Sequence, residues 1–341
     1  MNRKKNIIRA ILVMTICIAT QAGAQDIHFS QFYETAILRN PALTGIFTED
    51  YKVSGMYRSQ WGSISKPFRT MQVSAEMRMP IGREVSDYLS IGLLGFSDKA
   101  GQINFRTSAF YPAINYNKSL EDNHSSFLSV GFTGGYIQRS IDISKMTFDN
   151  QYGNPGAGSG EQMPNPKIAH WDLGAGVSFN SSMGPDNRSS WFLGFSGYHF
   201  THPKESFYED NDLINLKTRW NLNAGLNLGL DETWNLLVHG NYMLQGSYQE
   251  IIAGGLVRWS RFNSMNRRDF AFSMGGFYRV KDAIIPTVKI EYKGQTFAAS
   301  YDVNISSLKT ATNLRGGLEI TVFTSGFFGG NVDDKHLCPR F

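Results

Sequence analysis

The sequence is short of cysteine and proline, and beyond its first twenty residues it lacks any long apolar run. Only two cysteines occur in 341 residues. Cys17 lies in the leader described below, without the Leu-small-small lead-in of a lipobox, which argues against a lipoprotein. Cys338 is then the single cysteine of the processed chain, so no internal disulfide can hold the fold. No later segment approaches the roughly 18 consecutive apolar residues of a membrane helix, which excludes a helical membrane protein. A basic excess is missing too. The leader takes four of the 33 basic residues (Arg3, Lys4, Lys5, Arg9) and none of the 29 acidic ones, leaving the two signs balanced. That balance excludes the electrostatic footprint of a nucleic-acid binder.

Glycine and aromatic residues, by contrast, are abundant, as in an outer-membrane protein. The chain opens with the three parts of a secretory signal. Basic residues come first, then a mostly apolar stretch over 7–20, then Ala22-Gly23-Ala24 as a small-x-small cleavage site. Residues 1–24 are expected to be removed.

Downstream, alternation with period two dominates. In "RWNLNAGLNLGLDETWNLLVHGNYML", Leu222, Ala224, Leu226 and Leu228 alternate with Asn221, Asn223, Gly225 and Asn227. Amide and glycine line a packed core poorly, but they suit a wet lumen with lipid on the opposite face. About fourteen such strands can be drawn, at 51–61, 68–79, 88–98, 103–117, 126–139, 169–181, 190–200, 217–230, 233–245, 249–262, 269–281, 283–293, 295–306 and 311–323. Most exceed the usual five or six residues and match a tilted crossing of the hydrocarbon layer, about 9–11 residues. The reading is an all-β fold: a transmembrane antiparallel β-barrel of about 14 strands over 51–323. In the fourth strand the apolar beat slips near Pro112, where a bulge is expected.

Charges fall on the inward face. Arg58, Glu76, Arg78, Arg258, Lys289, Glu291, Asp302, Arg315 and Glu319 are expected to form a paired luminal network, since a charge facing lipid at midplane costs about 2–4 kcal/mol. The six tryptophans, Trp61, Trp171, Trp191, Trp220, Trp234 and Trp259, sit near strand ends, as an interfacial girdle requires. Two connections are long, about 140–168 and 201–216. Both are expected to lie outside the cell, with short turns on the periplasmic side.

A barrel this wide needs a filling or conducts water. Residues 25–50 have no strand pattern. They are expected either to fill the lumen or to extend as a periplasmic arm, with a short helix over 31–38 stopped near Asn40-Pro41. Residues 324–341 form a C-terminal periplasmic tail.

No catalytic set stands out. His199 and His202 in "YHFTHP" are close, but no third ligand has metal-site spacing, and both read as interfacial or loop histidines. "GNPGAGSG" lacks the context of a phosphate loop. No enzyme activity, cofactor or metal is expected.

Several motifs resemble one family. Phe29, Ser30, Gln31 and Phe32, then Asn40, Pro41, Ala42 and Gly45, then Arg58, Gln60 and Trp61 are similar in order and spacing to the opening of the PorP/SprF proteins of type IX secretion in Bacteroidetes-type bacteria. "WFLGFSGYHFTHP", "SYDVNISSL" and the terminal "CPRF" resemble it as well; Leu43-Thr44 departs from the common pattern. The resemblance implies an outer-membrane component that supports export and surface attachment of cargo proteins such as gliding adhesins, beside periplasmic secretion-motor components. It makes the motif residues the candidate site. Cys338, Pro339 and Phe341 are candidates for a partner contact; Cys338 also reads as an ordinary packed or solvent-facing residue. The Asn-Pro-Ala turn is also similar to the hatch of FadL-like transporters. That leaves a diffusion channel or a transporter of small hydrophobic molecules as the alternative.

Overall fold

The computed structural model describes residues 26–62, 66–81, 87–121, 125–146, 148, 151, 165–184, 187–207, 214–263, 268–307 and 309–328. The leader, most of the 140–168 connection, and Cys338, Pro339 and Phe341 lie outside the described residues.

Fourteen antiparallel strands close into a barrel in which β1 pairs with both β2 and β14. They are β1 (Tyr51–Gln60), β2 (Phe68–Ile81), β3 (Asp87–Ala100), β4 (Phe105–Glu121), β5 (Ser126–Ser140), β6 (Lys167–Met183) and β7 (Ser189–Tyr198). The second half is β8 (Arg219–Gly229), β9 (Trp234–Gln245), β10 (Tyr248–Phe262), β11 (Arg268–Arg279), β12 (Ala283–Tyr292), β13 (Gln295–Asn304) and β14 (Arg315–Gly326). Closure leaves no strand edge unpaired, which a bilayer demands because lipid offers backbone groups no hydrogen bonds.

Alternation sets the two faces. In β2, Met71 and Val73 are 61% and 65% exposed, whereas Gln72 and Glu76 between and beyond them are buried. In β8, Asn221, Asn223 and Asn227 are buried and face the lumen, while Trp220 and Leu222 are exposed. Trp61, Trp171 and Trp220 lie towards one end of the barrel, and Trp191, Trp234 and Trp259 towards the other. Several pair with an aromatic neighbour, as Trp220 stacks on Phe195 at 5.4 Å. The end where β2–β3, β4–β5, β6–β7, β8–β9, β10–β11 and β12–β13 connect has only short turns. The 141–166 and 199–218 connections are both at the other end.

Three local expectations are corrected. β4 passes Pro112 without a bulge: Phe110 pairs with Tyr136 and Ala113 with Thr133 in one unbroken register, and the only shift in this pair falls between Ser119 and Glu121. The apolar beat is blurred there because inward Ala109, Tyr111 and Ala113 are themselves apolar and buried. The last strand begins at Arg315, because residues Lys309–Thr312 form a short helix and Asn313 and Leu314 turn with φ of 50° and 63°. Arg315 is consequently exposed at the strand's mouth, with no ion pair among the described residues.

Candidate functional site: the segment from Asp26 to Asp50

Residues 26–50 form no strand, yet most of them are buried. The expected helix over 31–38 is broken into a 3-10 turn at Phe32–Glu34, one α-helical turn at Ala36–Arg39 (α1) and a second 3-10 turn at Pro41–Leu43. The break has a cause. Thr35 turns its hydroxyl back to the Phe32 carbonyl at 2.9 Å and takes φ −105°, ψ 62°, outside the helical region. Ahead of the first turn, the backbone N–H groups of Ser30 and Gln31 donate to the Glu319 carboxylate, at 2.8 and 2.7 Å.

That carboxylate belongs to a dense charge cluster inside the barrel. The Ser30 hydroxyl donates to Asp302 at 2.5 Å and accepts from Arg279 at 2.9 Å. Gln31 donates to the Ser300 hydroxyl and to the Glu319 carbonyl, both at 3.1 Å. Arg58 donates to the His28 carbonyl and pairs with Asp302 at 3.0 Å and Glu319 at 3.7 Å. Arg279 reaches Asp302, Asp282 and Glu250. Arg58, Asp302 and Glu319 were legible as inward charges; Arg279 and Glu250 were missed. Buried ions need complete pairing, and here the backbone of the segment supplies part of it.

Apolar residues fix the segment on two sides. Phe29, Ile37 and Leu38 pack with Met56, Leu94 and Tyr111 on the wall of β1, β3 and β4. Phe32 packs with Leu237, Leu256, Phe277 and Ile285 on β9–β12. Its ring meets Phe277 edge-on at 5.6 Å.

The Asn40-Pro41 turn lies over a glycine floor. The Asn40 side chain caps the following turn by accepting from Ala42 N at 2.9 Å, and donates to the Val177 carbonyl at 3.1 Å. A Cβ on Gly176 would stand 2.0 Å from Asn40 Oδ1, and one on Gly131 would stand 2.3 Å from the Pro41 carbonyl carbon. Glycine on the inward face is therefore a requirement of close backbone approach. Asn115 donates to the carbonyls of Ala42 and Thr44, at 2.9 and 2.8 Å. Gly45 takes φ +73°, open to glycine, and its N–H donates to Glu76 at 2.9 Å. Arg78 donates to the Phe47 carbonyl.

Gln60 and Trp61 are not joined to this network by any bond among the described residues, unlike Arg58. Trp61 turns with φ 55°, packs on Phe68 at 5.0 Å, and with Gln60 lines a cavity of about 260 Å³ near Asp26 at the long-connection end.

Asp26, at the start of the described chain, is held by His199, noted in the sequence only for its closeness to His202, and by Arg219, which the sequence did not single out. His199 Nε2 lies 2.5 Å from its carboxylate and Arg219 2.7 Å, while His199 Nδ1 is 2.9 Å from Asp172. His199 is thus buried and ion-paired, which corrects its reading as an interfacial or loop residue; His202 is exposed in the connection. Burial works against charging His199, but Asp26 and Asp172 outweigh it and raise its pKa to about 9. Burial likewise opposes ionisation of Asp26, yet His199 and Arg219 hold it well below the usual carboxylate range. Glu34, also against its burial, is held low by Lys289 and Lys52.

A family model for the type IX secretion system membrane protein PorP/SprF matches residues 21–323. The chain belongs to the PorP/SprF family. The protein is accordingly a membrane component of the type IX secretion system, and it resides in the outer membrane, where barrels of this kind lie. The family match spans the whole described segment from Asp26 to Asp50 and nearly all of the barrel. No curated protein sequence matches the chain. Among solved structures, the Ralstonia pickettii toluene transporter TbuX is 9% identical with a TM-score of 0.49, covering 85% of this chain and 93% of its own. The CymD monoaromatic hydrocarbon channel is 10% identical with a TM-score of 0.49, covering 88% and 94%. BamA from Haemophilus ducreyi is 8% identical with a TM-score of 0.41, covering 81% and 70%.

Proposed function

We propose that this PorP/SprF protein is a non-catalytic barrel that supports export and surface attachment of cargo proteins, gliding adhesins among them, with residues 26–50 acting as its luminal plug. Residues 1–24 serve as a removable signal peptide, and the long connections over 141–166 and 199–218 face the cell exterior. Cargo meets the outer end and periplasmic motor components meet the short-turn end. The family assignment supports the secretion role. One observation carries the plug: Ser30, Gln31, Asn40 and Thr44 are fully buried, and the segment bonds to wall residues as far apart around the barrel as Asn115, Ser196 and Glu319. Residues held this way suit a fixed closure better than a mobile arm, and a closed lumen suits a secretion component better than a diffusion channel.

The experiment is a census of secreted and surface-exposed proteins in cells whose chromosomal copy lacks residues 26–40. The expected result is loss of a specific set of cargo proteins from the surface while the barrel still assembles. An assembled deletion barrel with an unchanged surface proteome would sink the proposal.

A further inference from the structure

Arg39 is an unusual charge. Its side chain is 8% exposed, and its Nε and Nη1 atoms have no hydrogen-bond partner. What touches the guanidinium is aromatic: it lies over the Phe192 ring at 5.3 Å and the Phe32 ring at 5.8 Å. The backbone is fixed independently, since the Arg39 carbonyl accepts from Ser196 Oγ at 2.9 Å. The one carboxylate that acts on it electrostatically is Glu34. Glu34 is already held between Lys289 at 2.7 Å and Lys52 at 3.0 Å. The segment therefore carries a buried guanidinium with two unpartnered donors, and the carboxylate that acts on it is already shared by two lysines, a costly state for an ion.

Arg39 lines a cavity of about 160 Å³ that reaches from mid-barrel to the short-turn end, where Lys293, Gly294 and Ser325 border it. A cavity of about 150 Å³ accommodates a benzene-sized molecule. Deep in the same space, His239 presents an Nδ1 atom with no partner, its ring stacked on Tyr33 at 5.3 Å. Nearer the mouth, Glu291 is paired with Arg268 at 3.5 Å and Lys289 at 3.8 Å, and Asp269 with Arg261 at 3.2 Å. Glu76 also lines the cavity and accepts from Gly45 N–H, while at the inner end the Arg39 donors have no acceptor.

We propose that this cavity binds a small organic carboxylate entering from the short-turn end, with its anionic group on Arg39 and its apolar body against Phe192 and Tyr33. A guanidinium forms a planar fork that matches a carboxylate. A monoanion supplies the acceptors that the Arg39 donors lack, and the surrounding rings favour a flat body over a hydrated inorganic ion. Occupancy tightens the hold of the wall on α1 and so couples a periplasmic solute to the seating of residues 26–50. Direct binding to the purified chain is independent of the secretory role, so the two can fail separately.

The test is calorimetric titration of the full-length chain in detergent micelles with benzoate, acetate and neutral benzamide. Saturable benzoate binding is expected, with benzamide at least tenfold weaker. Arg39→Gln should weaken benzoate at least tenfold and Arg39→Lys by less, while Arg106→Gln, on an exposed residue of β4, leaves it unchanged. If Arg39→Gln fails to give a heat-modifiable barrel, His239→Phe keeps the stack on Tyr33, removes the unpartnered ring nitrogen that lines the cavity and should weaken benzoate severalfold. Absence of saturable binding of both benzoate and acetate to the native chain overturns the proposal. So does equal benzoate affinity in native and Arg39-substituted chains.

Discussion

Adding one methyl group to Gly176 is the smallest perturbation that probes how residues 26–50 are held. The new Cβ would lie 2.0 Å from Asn40 Oδ1 and 3.0 Å from Ser196 Cβ, so the side chain of Asn40 must leave. Three bonds go with it, the cap to Ala42 N, the bond to the Val177 carbonyl and a long one to Asn223 Oδ1 at 3.5 Å. Loss of a cap costs about 1 kcal/mol, and loss of a buried hydrogen bond about 0.5–1.5 kcal/mol. Overpacking adds about 1–3 kcal/mol. Alanine recovers about 0.5–1 kcal/mol over glycine within a strand. The net loss is therefore about 1.5–5 kcal/mol. Gly134→Ala is the control, because its nearest foreign atom is 3.9 Å away, an ordinary contact. Urea unfolding in lipid vesicles gives both free energies by linear extrapolation. Gly176→Ala should lose about 1.5–5 kcal/mol and Gly134→Ala less than about 0.5 kcal/mol. Equal stability of the two variants would refute the glycine floor and the seating of the Asn40-Pro41 turn upon it.

Three further outcomes are expected. His199, raised to about 9 from an ordinary value of 6.5, stabilises the Asp26 anchor fully below about pH 6.5 and loses that contribution as pH rises through about 9, so hydrogen exchange at residues 26–30 should quicken over that window and His199→Gln should abolish the dependence. Arg58→Met leaves Asp302 and Glu319 buried without their shared cation, and should cost about 3–5 kcal/mol in the same urea assay; a loss under about 1 kcal/mol would show that Arg279 suffices alone. Cysteine at exposed Thr201, in the 199–218 connection, should react with a membrane-impermeant thiol reagent in intact cells, whereas reaction only after outer-membrane disruption would reverse the assigned orientation.

The wall of the barrel was legible because lipid and lumen impose opposite demands on neighbouring residues. Val73 and Gln72, or Leu222 and Asn223, carry that signal without help from distant parts of the chain. Strand limits came within about four residues for the same reason, and the slip before Arg315 falls where Leu314, in a turn, continues the apolar beat. What lies inside was less legible. Its contacts join residues far apart in sequence, as Ser30 to Glu319 and Asn40 to Val177. A trace was still present. Leu237, Ile252, Leu256, Phe277 and Ile285 put apolar side chains on the face that should be polar, and these are the residues that meet Phe32. Ala109, Tyr111 and Ala113 do the same for the cluster that holds Phe29. The apparent irregularity at Pro112 was in fact the footprint of that contact. His199 escaped because Gly197, Tyr198 and His199 are buried in succession, so alternation ends before the strand's last contact is made. The inward glycines first looked like mere polarity; Gly131 and Gly176 are there because another backbone passes over them.

Single-channel recording in planar bilayers tests the central claim most directly. The full-length chain is compared with one lacking residues 26–40, both shown to be folded by heat-modifiability. A silent full-length barrel and a steadily conducting deletion barrel are expected, because a lumen of this width conducts once nothing fills it. An open full-length barrel, or a deletion barrel that stays silent, would contradict the assignment of residues 26–50 as the closure of the lumen.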